Sequence, residues 1–276
     1  MTDLRPIVAD LADEHADLDA VVAALPPEAW ARPTPAEGWS IGDQISHLAY
    51  FDERAVAALT EPDAFRAHVA AVHAAPGDHA DADVERGRSL TAAELLSWWR
   101  AARRRLVEAL SGPMPARVPW YGPDMSVASL VSARLMETWA HGQDIVDALG
   151  ATRAPTARLR HVCRLGLRAL PFSFANRGLP VPEGAVRAEL EAPDGSTWRF
   201  GDPDAADVVS GPAVELALLV TQRRHRDDTS LRAEGPVADA WLSVAQAFAG
   251  PPGPGRAPTH RTRSDEGTAP CDSPPS

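Results

Sequence analysis

The chain has 276 residues, 45% of them hydrophobic, and a formal net charge of −11. That length suffices for two ordinary domains, and the acidic balance argues against nucleic acid as a partner, because phosphate binding needs a basic footprint. No run of eighteen apolar residues occurs, and the acidic, amphipathic start MTDLRPIVADLADEH lacks the basic region of a secretory signal, so the expectation is a cytoplasmic protein with no membrane contact.

Residues 4–25 read as an amphipathic helix, with Leu4, Val8, Leu11, His15, Leu18, Val22 and Leu25 on one stripe. Pro26 and Pro27 end it, and His15 takes a core position as a packed imidazole. The turn-rich PTPAEGW at 33–39 leads to a second helix, IGDQISHLAYFDERAVAAL, for which Ser40 with Asp43 forms a capping box. His47 lies on the flank of its apolar face, one turn before Phe51. Residues 62–88, with His68, His73 and His79 among Ala, Asp and Gly, are weakly periodic and read as a long connection with some helix. A third helix covers 91–110, with Arg100 and Arg103–Arg105 on its solvated face. The loop SGPMPARVPWYGPDM follows and carries Trp120 and Tyr121.

The next stretch, Ser126–Gly150, is the most informative. Val127, Leu130, Val131, Leu135, Ile145 and Leu149 recur at helical spacing, with Ser126 as N-cap and Gly150 as stop signal. Inside that stripe Glu137 and His141 are four apart, so one stands above the other on a single helix face. A carboxylate and an imidazole directed together into a helical interior can pair with each other or share a cation, and a cation needs a further donor. Four amphipathic helices in succession predict a four-helix bundle, whose facing helices are where metal ligands are placed. In such a bundle the further donor would be His47 on the second helix, for which the competing reading is a structural or solvated imidazole.

After Gly150 the pattern changes. Residues 155–175 read as a fifth helix with Cys163 as a small core residue. AVRAELEAP, Asp194–Gly195 and STWRF then read as a β-hairpin, DVVSG as a third strand, PAVELALLVTQRRH as a helix, and PVADAWLSVAQAF as a last one. The domain expectation is a helical unit over 1–150, a smaller α+β unit over 151–248, and a disordered Pro/Gly-rich tail over 249–276 that holds Cys271 as a free thiol. The two cysteines suggest no disulfide framework.

GWSIGDQISHLAYFDERA at 38–55 and ARLMETWAHGQDI at 133–145 resemble the metal-binding domain of the mycothiol-dependent maleylpyruvate isomerases, within the DinB-like superfamily of four-helix bundles. Residues 180–248 resemble that family's sterol-carrier-like C-terminal domain. The resemblance implies a divalent metal, zinc by preference, on His47, Glu137 and His141, with an open fourth position. It implies mycothiol as thiol cofactor and a small electrophilic substrate, either isomerised through addition of a metal-bound thiolate across a cis double bond or joined to the thiol. Arg134, Arg223 and Arg224 are candidate holders of a substrate carboxylate, a role that the guanidinium fork suits; for each the competing reading is an ordinary ion pair with Asp. Two further readings remain: a non-catalytic protein that binds metal and a small ligand, and a hydrogen-bonded polar cluster without metal.

Overall fold

A computed structural model describes residues 3–74 and 82–259. The four long helices are α1 (Arg5–Ala23), α2 (Ile41–Thr60), α5 (Ala92–Leu110) and α6 (Val127–Leu149), with the shorter α3 (Pro62–Ala74) and α4 (Ala82–Arg88) between the second and third of them. Local chemistry fixes their starts. The Ser40 hydroxyl accepts from the Asp43 amide while the Asp43 carboxylate accepts from the Ser40 amide, and Thr91 and Glu94 repeat this reciprocal box ahead of α5. At the end of α6, Gly150 takes the left-handed conformation, φ 64°, that closes helices at little steric cost.

Helix α2 lies between α5 and α6, α1 packs on α6 and α5, and α4 lies along α2. Arg100 and Arg103 of α5 both engage Asp19 of α1, and Arg105 reaches Glu53 of α2 at 2.9 Å, so the arginine cluster expected on a solvated face ties three helices together. Residues 62–88, expected mainly as connection, hold both short helices. The loop before α6 contains a two-stranded pair, β1 (Arg117–Val118) and β2 (Met125–Ser126).

Beyond α6 come α7 (Leu159–Arg168) and α8 (Leu170–Ala175) in place of one helix over 155–175. Pro171 lacks the amide that a continuous helix needs, and its ring would strike the carbonyl one turn back. The sheet has the order β4-β3-β5-β6, with β3 (Val186–Glu191) antiparallel to β4 (Thr197–Phe200) and parallel to β5 (Asp207–Pro212). The expected hairpin and third strand are therefore present. The fourth strand, β6 (Arg232–Glu234), falls in a segment read as connection; only three residues long, it offers no alternating pattern to detect. Helix α9 (Ala213–Val220) follows β5 directly, and α10 (Pro236–Val244) stops four residues before the expected end.

One apolar core runs from Leu11 and Leu130 through Val162 and Cys163 to Leu216 and Trp241, so packing is continuous across residue 150. A second, smaller core around Ile45, Trp99 and Ile145 fills the other end of the helices. Part of the Pro/Gly-rich segment after 249 is bonded to the rest of the chain. Gly250 and Gly253 carbonyls accept from Asn176 and Arg177, Arg256 pairs with Asp144 and Asp147, and the Thr259 amide donates to Asp228. Residues 260–276, and Cys271 with them, lie outside the described residues, as does His79. Among the described residues no helix is long and apolar enough to cross a membrane.

Candidate metal centre

His47, Glu137 and His141 converge: one ligand atom from each lies within 4.8 Å of the other two. Glu137 and His141 stand one turn apart on α6, and His47 faces them from α2. His141 Nε2 is 3.1 Å and His47 Nε2 3.9 Å from the same oxygen, Glu137 Oε2. The two imidazole rings lie 4.4 Å apart between centroids.

The protein fixes which nitrogen of each ring faces inward. His47 Nδ1 bonds the Asp83 carboxylate, an acceptor, so that nitrogen carries the proton. His141 Nδ1 bonds Gln44 Oε1. The Gln44 amide is oriented in turn, because its Nε2 donates to Thr34 Oγ1 at 2.9 Å while the Thr34 hydroxyl donates to the Trp39 carbonyl at 2.9 Å. Both Nε2 atoms therefore present lone pairs to Glu137. Second partners of this kind, orienting a histidine through its other nitrogen, are the usual accompaniment of metal-bound imidazole.

Burial acts on the same groups. The His141 imidazole is pushed down to about 4 by burial first, then by the neighbouring His47 charge. For Glu137 burial alone would raise the carboxyl, but a protonated His141, whose Nε2 then donates to it, and the charges of His47 and Arg134 outweigh burial and hold it at about 2. At neutral pH neither group carries a proton at the shared point. Two acceptor atoms 3.1 Å apart with no proton between them repel, and a cation placed among the three donors would remove that conflict. Two nitrogens and a carboxylate oxygen are a donor set that suits zinc.

Aromatic side chains wall the site. Trp39 stacks on His141 at 5.9 Å and 20°, and Phe51 packs on His47 at 4.6 Å. Tyr121 meets Phe51 edge-on, and Trp120 stacks on Phe65 of α3, so the aromatic loop before α6 extends this wall. The His47 and Glu137 side chains keep 18% and 22% of their surface exposed, which leaves the site open on that edge.

The arginines divide. Arg134 is buried, donates to Asp52 at 3.0 Å and approaches the Leu48 carbonyl, so its guanidinium is turned into the helical interior. Arg223 donates to Asp144, one turn beyond His141, at 2.8 and 3.2 Å. Arg224 lines a separate cavity described below. Thus Arg134 and Arg223 adopt the ion-pair alternative, and none of the three bonds the metal-ligand candidates. Gln44 and Asp83 are absent from the sequence-based expectation. Gln44 sits three residues before His47 in a clear helix, a readable spacing, but Asp83 lies in the segment with no periodic signal. The short helix bearing it is pinned by the Asp83 carbonyl, which accepts from Ser46, and by Gly87, where a Cβ would come within 2.3 Å of Ser46 Oγ.

The family model described as mycothiol maleylpyruvate isomerase N-terminal domain matches residues 11–146. Two proteins from different strains of Mycobacterium tuberculosis, both named as uncharacterized, are each 46% identical over 257 residues, covering 93% of this chain and 100% of their own. Among solved structures, the mycothiol-dependent maleylpyruvate isomerase superposes with a TM-score of 0.57 and a mutant of it with 0.58. Both are 16% identical, covering 86% of this chain and 96% of theirs, a likeness of fold.

Proposed function

Because residues 11–146 match the mycothiol maleylpyruvate isomerase N-terminal domain, we propose that the chain holds one divalent metal ion, zinc by ligand preference, on His47, Glu137 and His141. We further propose that it uses this site for thiol-dependent isomerisation of, or thiol transfer to, a small electrophile. The observation behind this reading is the set of donor atoms aimed at one point, with both imidazoles held in the tautomer that directs Nε2 there. Mycothiol is the thiol that the family relationship supports. A zinc ion at this point supplies Lewis acidity and lowers the pKa of a coordinated thiol.

The chain's own groups have distinct tasks in this account. Asp83 and Gln44 keep the two Nε2 lone pairs inward. Trp39 and Phe51 shield both imidazoles from bulk water, which strengthens charge interactions inside. The open edge at His47 and Glu137 admits a small molecule. In architecture, we read the four long helices as a metal-binding bundle over 1–150 and the sheet-bearing remainder as a sterol-carrier-like unit from 151.

Elemental analysis of protein purified without chelator should find about one metal equivalent per chain, the loading of a single three-ligand site. His141→Ala should lose most of it while keeping its helical circular dichroism, and unchanged loading would refute the assignment. Incubation of the loaded protein with mycothiol and maleylpyruvate, followed for fumarylpyruvate, tests the isomerase version. Bound metal without turnover would favour the non-catalytic metal- and ligand-binding reading instead.

A further inference from the structure

Helix α9 ends with the Gln222 amide donating to Leu219 at 2.9 Å and the Arg223 amide to Leu218 at 2.8 Å, the Schellman arrangement. Its left-handed position, normally glycine, is filled by Gln222 with φ 60°, the one non-glycine residue of positive φ among the described residues. Such strain persists where the surroundings impose it, and it gathers at functional positions. Here it sends two consecutive arginines to different places. Arg223 turns to Asp144 on α6, whereas Arg224 lines a cavity of about 290 Å³.

Arg177, Arg226, His225 and Arg256 line the same cavity, and residues 254–256 form one wall. Two of these cations are matched: Arg226 by Asp239, and Arg256 by Asp144 and Asp147. Two are not. Among the described residues, Arg177 reaches only the carbonyls of Val244 and Gly253, each at 3.5 Å, and the Arg224 guanidinium meets neither a carboxylate nor a hydrogen-bond acceptor. Both are half-buried, and each guanidinium offers five donors. Asp227, the acidic residue of the lining, is exposed. A half-buried guanidinium that faces a cavity without a carboxylate partner is costly, and an anion would offset that cost.

We propose that this cavity is a binding site for a small, multiply charged oxyanion, a phosphate-bearing or polycarboxylate metabolite, held between Arg177 and Arg224. The guanidinium fork matches carboxylate and phosphate oxygens in pairs, and the volume is at the small end of ligand sites. None of His47, Glu137 or His141 lines the cavity, so the site stands whether or not the metal reading holds.

The test is isothermal titration of the full chain, stripped of metal with chelator, in a buffer free of phosphate and carboxylates. Inorganic phosphate and citrate are titrated separately. Saturable one-site binding of at least one is expected: phosphate alone identifies a phosphate-bearing ligand, citrate alone a polycarboxylate, and both a site that selects by charge. Arg224→Gln and Arg177→Gln should each weaken binding about tenfold or more, the effect of losing a charge-assisted pair. Should either fail to fold, Arg224→Lys keeps the charge without the fork and should still bind more weakly than the wild type. His141→Ala should bind as the wild type does. No saturable binding of either anion, or affinity unaltered by these arginine substitutions, overturns the proposal.

Discussion

Arg134 lies one turn before Glu137 on the helix that carries the site, yet it points inward. Its guanidinium and the Asp52 carboxylate are both buried, and the other Asp52 oxygen lies 3.6 Å from His15 Nε2. Removing one partner of a buried pair strands the other charge, so Arg134→Ala should cost about 3–5 kcal/mol of stability. Denaturant unfolding reads this directly, and a loss below about 1 kcal/mol, the scale of exposed pairs, would contradict the placement. Asp83 works differently, since it touches His47 rather than any substrate. Asp83→Ala should leave a foldable protein whose metal affinity is about 10–100-fold lower, the usual effect of losing an orienting partner. Competition with a chelating dye measures it, and an unchanged affinity would remove Asp83 from the site.

At the level of helices and strands, what was legible and what was not follows from length and patterning. Helices α2 and α6 announce themselves through Ser40, Asp43, Ser126 and Gly150 and through long apolar stripes; the four-residue spacing singles out Glu137 and His141, whereas His47 follows only from the bundle expectation and the family resemblance. Helix α4 has seven residues and an alanine- and aspartate-rich approach, so its existence depends on packing against α2 rather than on intrinsic pattern. Strand β6 and the break at Pro171 are similarly decided by tertiary context and by one residue's missing amide. The contact that holds α4 gives its own test. In Gly87→Ala the new Cβ would lie 2.3 Å from Ser46 Oγ and 2.4 Å from Ser46 Cβ, backed by a rigid helix, so α4 must move. Alanine's helical advantage of about 1 kcal/mol is outweighed by overpacking of typically about 1–3 kcal/mol. The variant should be less stable and, because Asp83 moves with α4, should bind metal more weakly. Full retention of both properties would show that α4 is not seated as described.

Considered as a whole, the molecule keeps imidazoles neutral in its interior, and that makes its stability depend on pH. Burial pushes His15 from 6.5 to about 4, with Arg103 and Arg134 adding to the effect and Asp52 opposing it. His141 moves the same way. A lowered histidine pKa means that the unfolded chain binds more protons between those two values. The stabilisation is therefore complete above pH 6.5 and is lost as pH falls toward 4, by about 3 kcal/mol for one such group. Glu137, held near 2, extends the loss to still lower pH. Unfolding of metal-free protein at pH 7, 5.5 and 4.5 should show this decline, and constant stability over that range would mean that these rings are not buried neutral. The central claim is coordination by two imidazoles and a carboxylate drawn from two helices. Zinc-edge X-ray absorption on protein purified without chelator tests it most directly. The account predicts a first shell of nitrogen and oxygen at about 2.0–2.2 Å with the outer scattering of two imidazole rings, lost in His141→Ala. A sulfur-only shell, or a spectrum unchanged by that substitution, would contradict it.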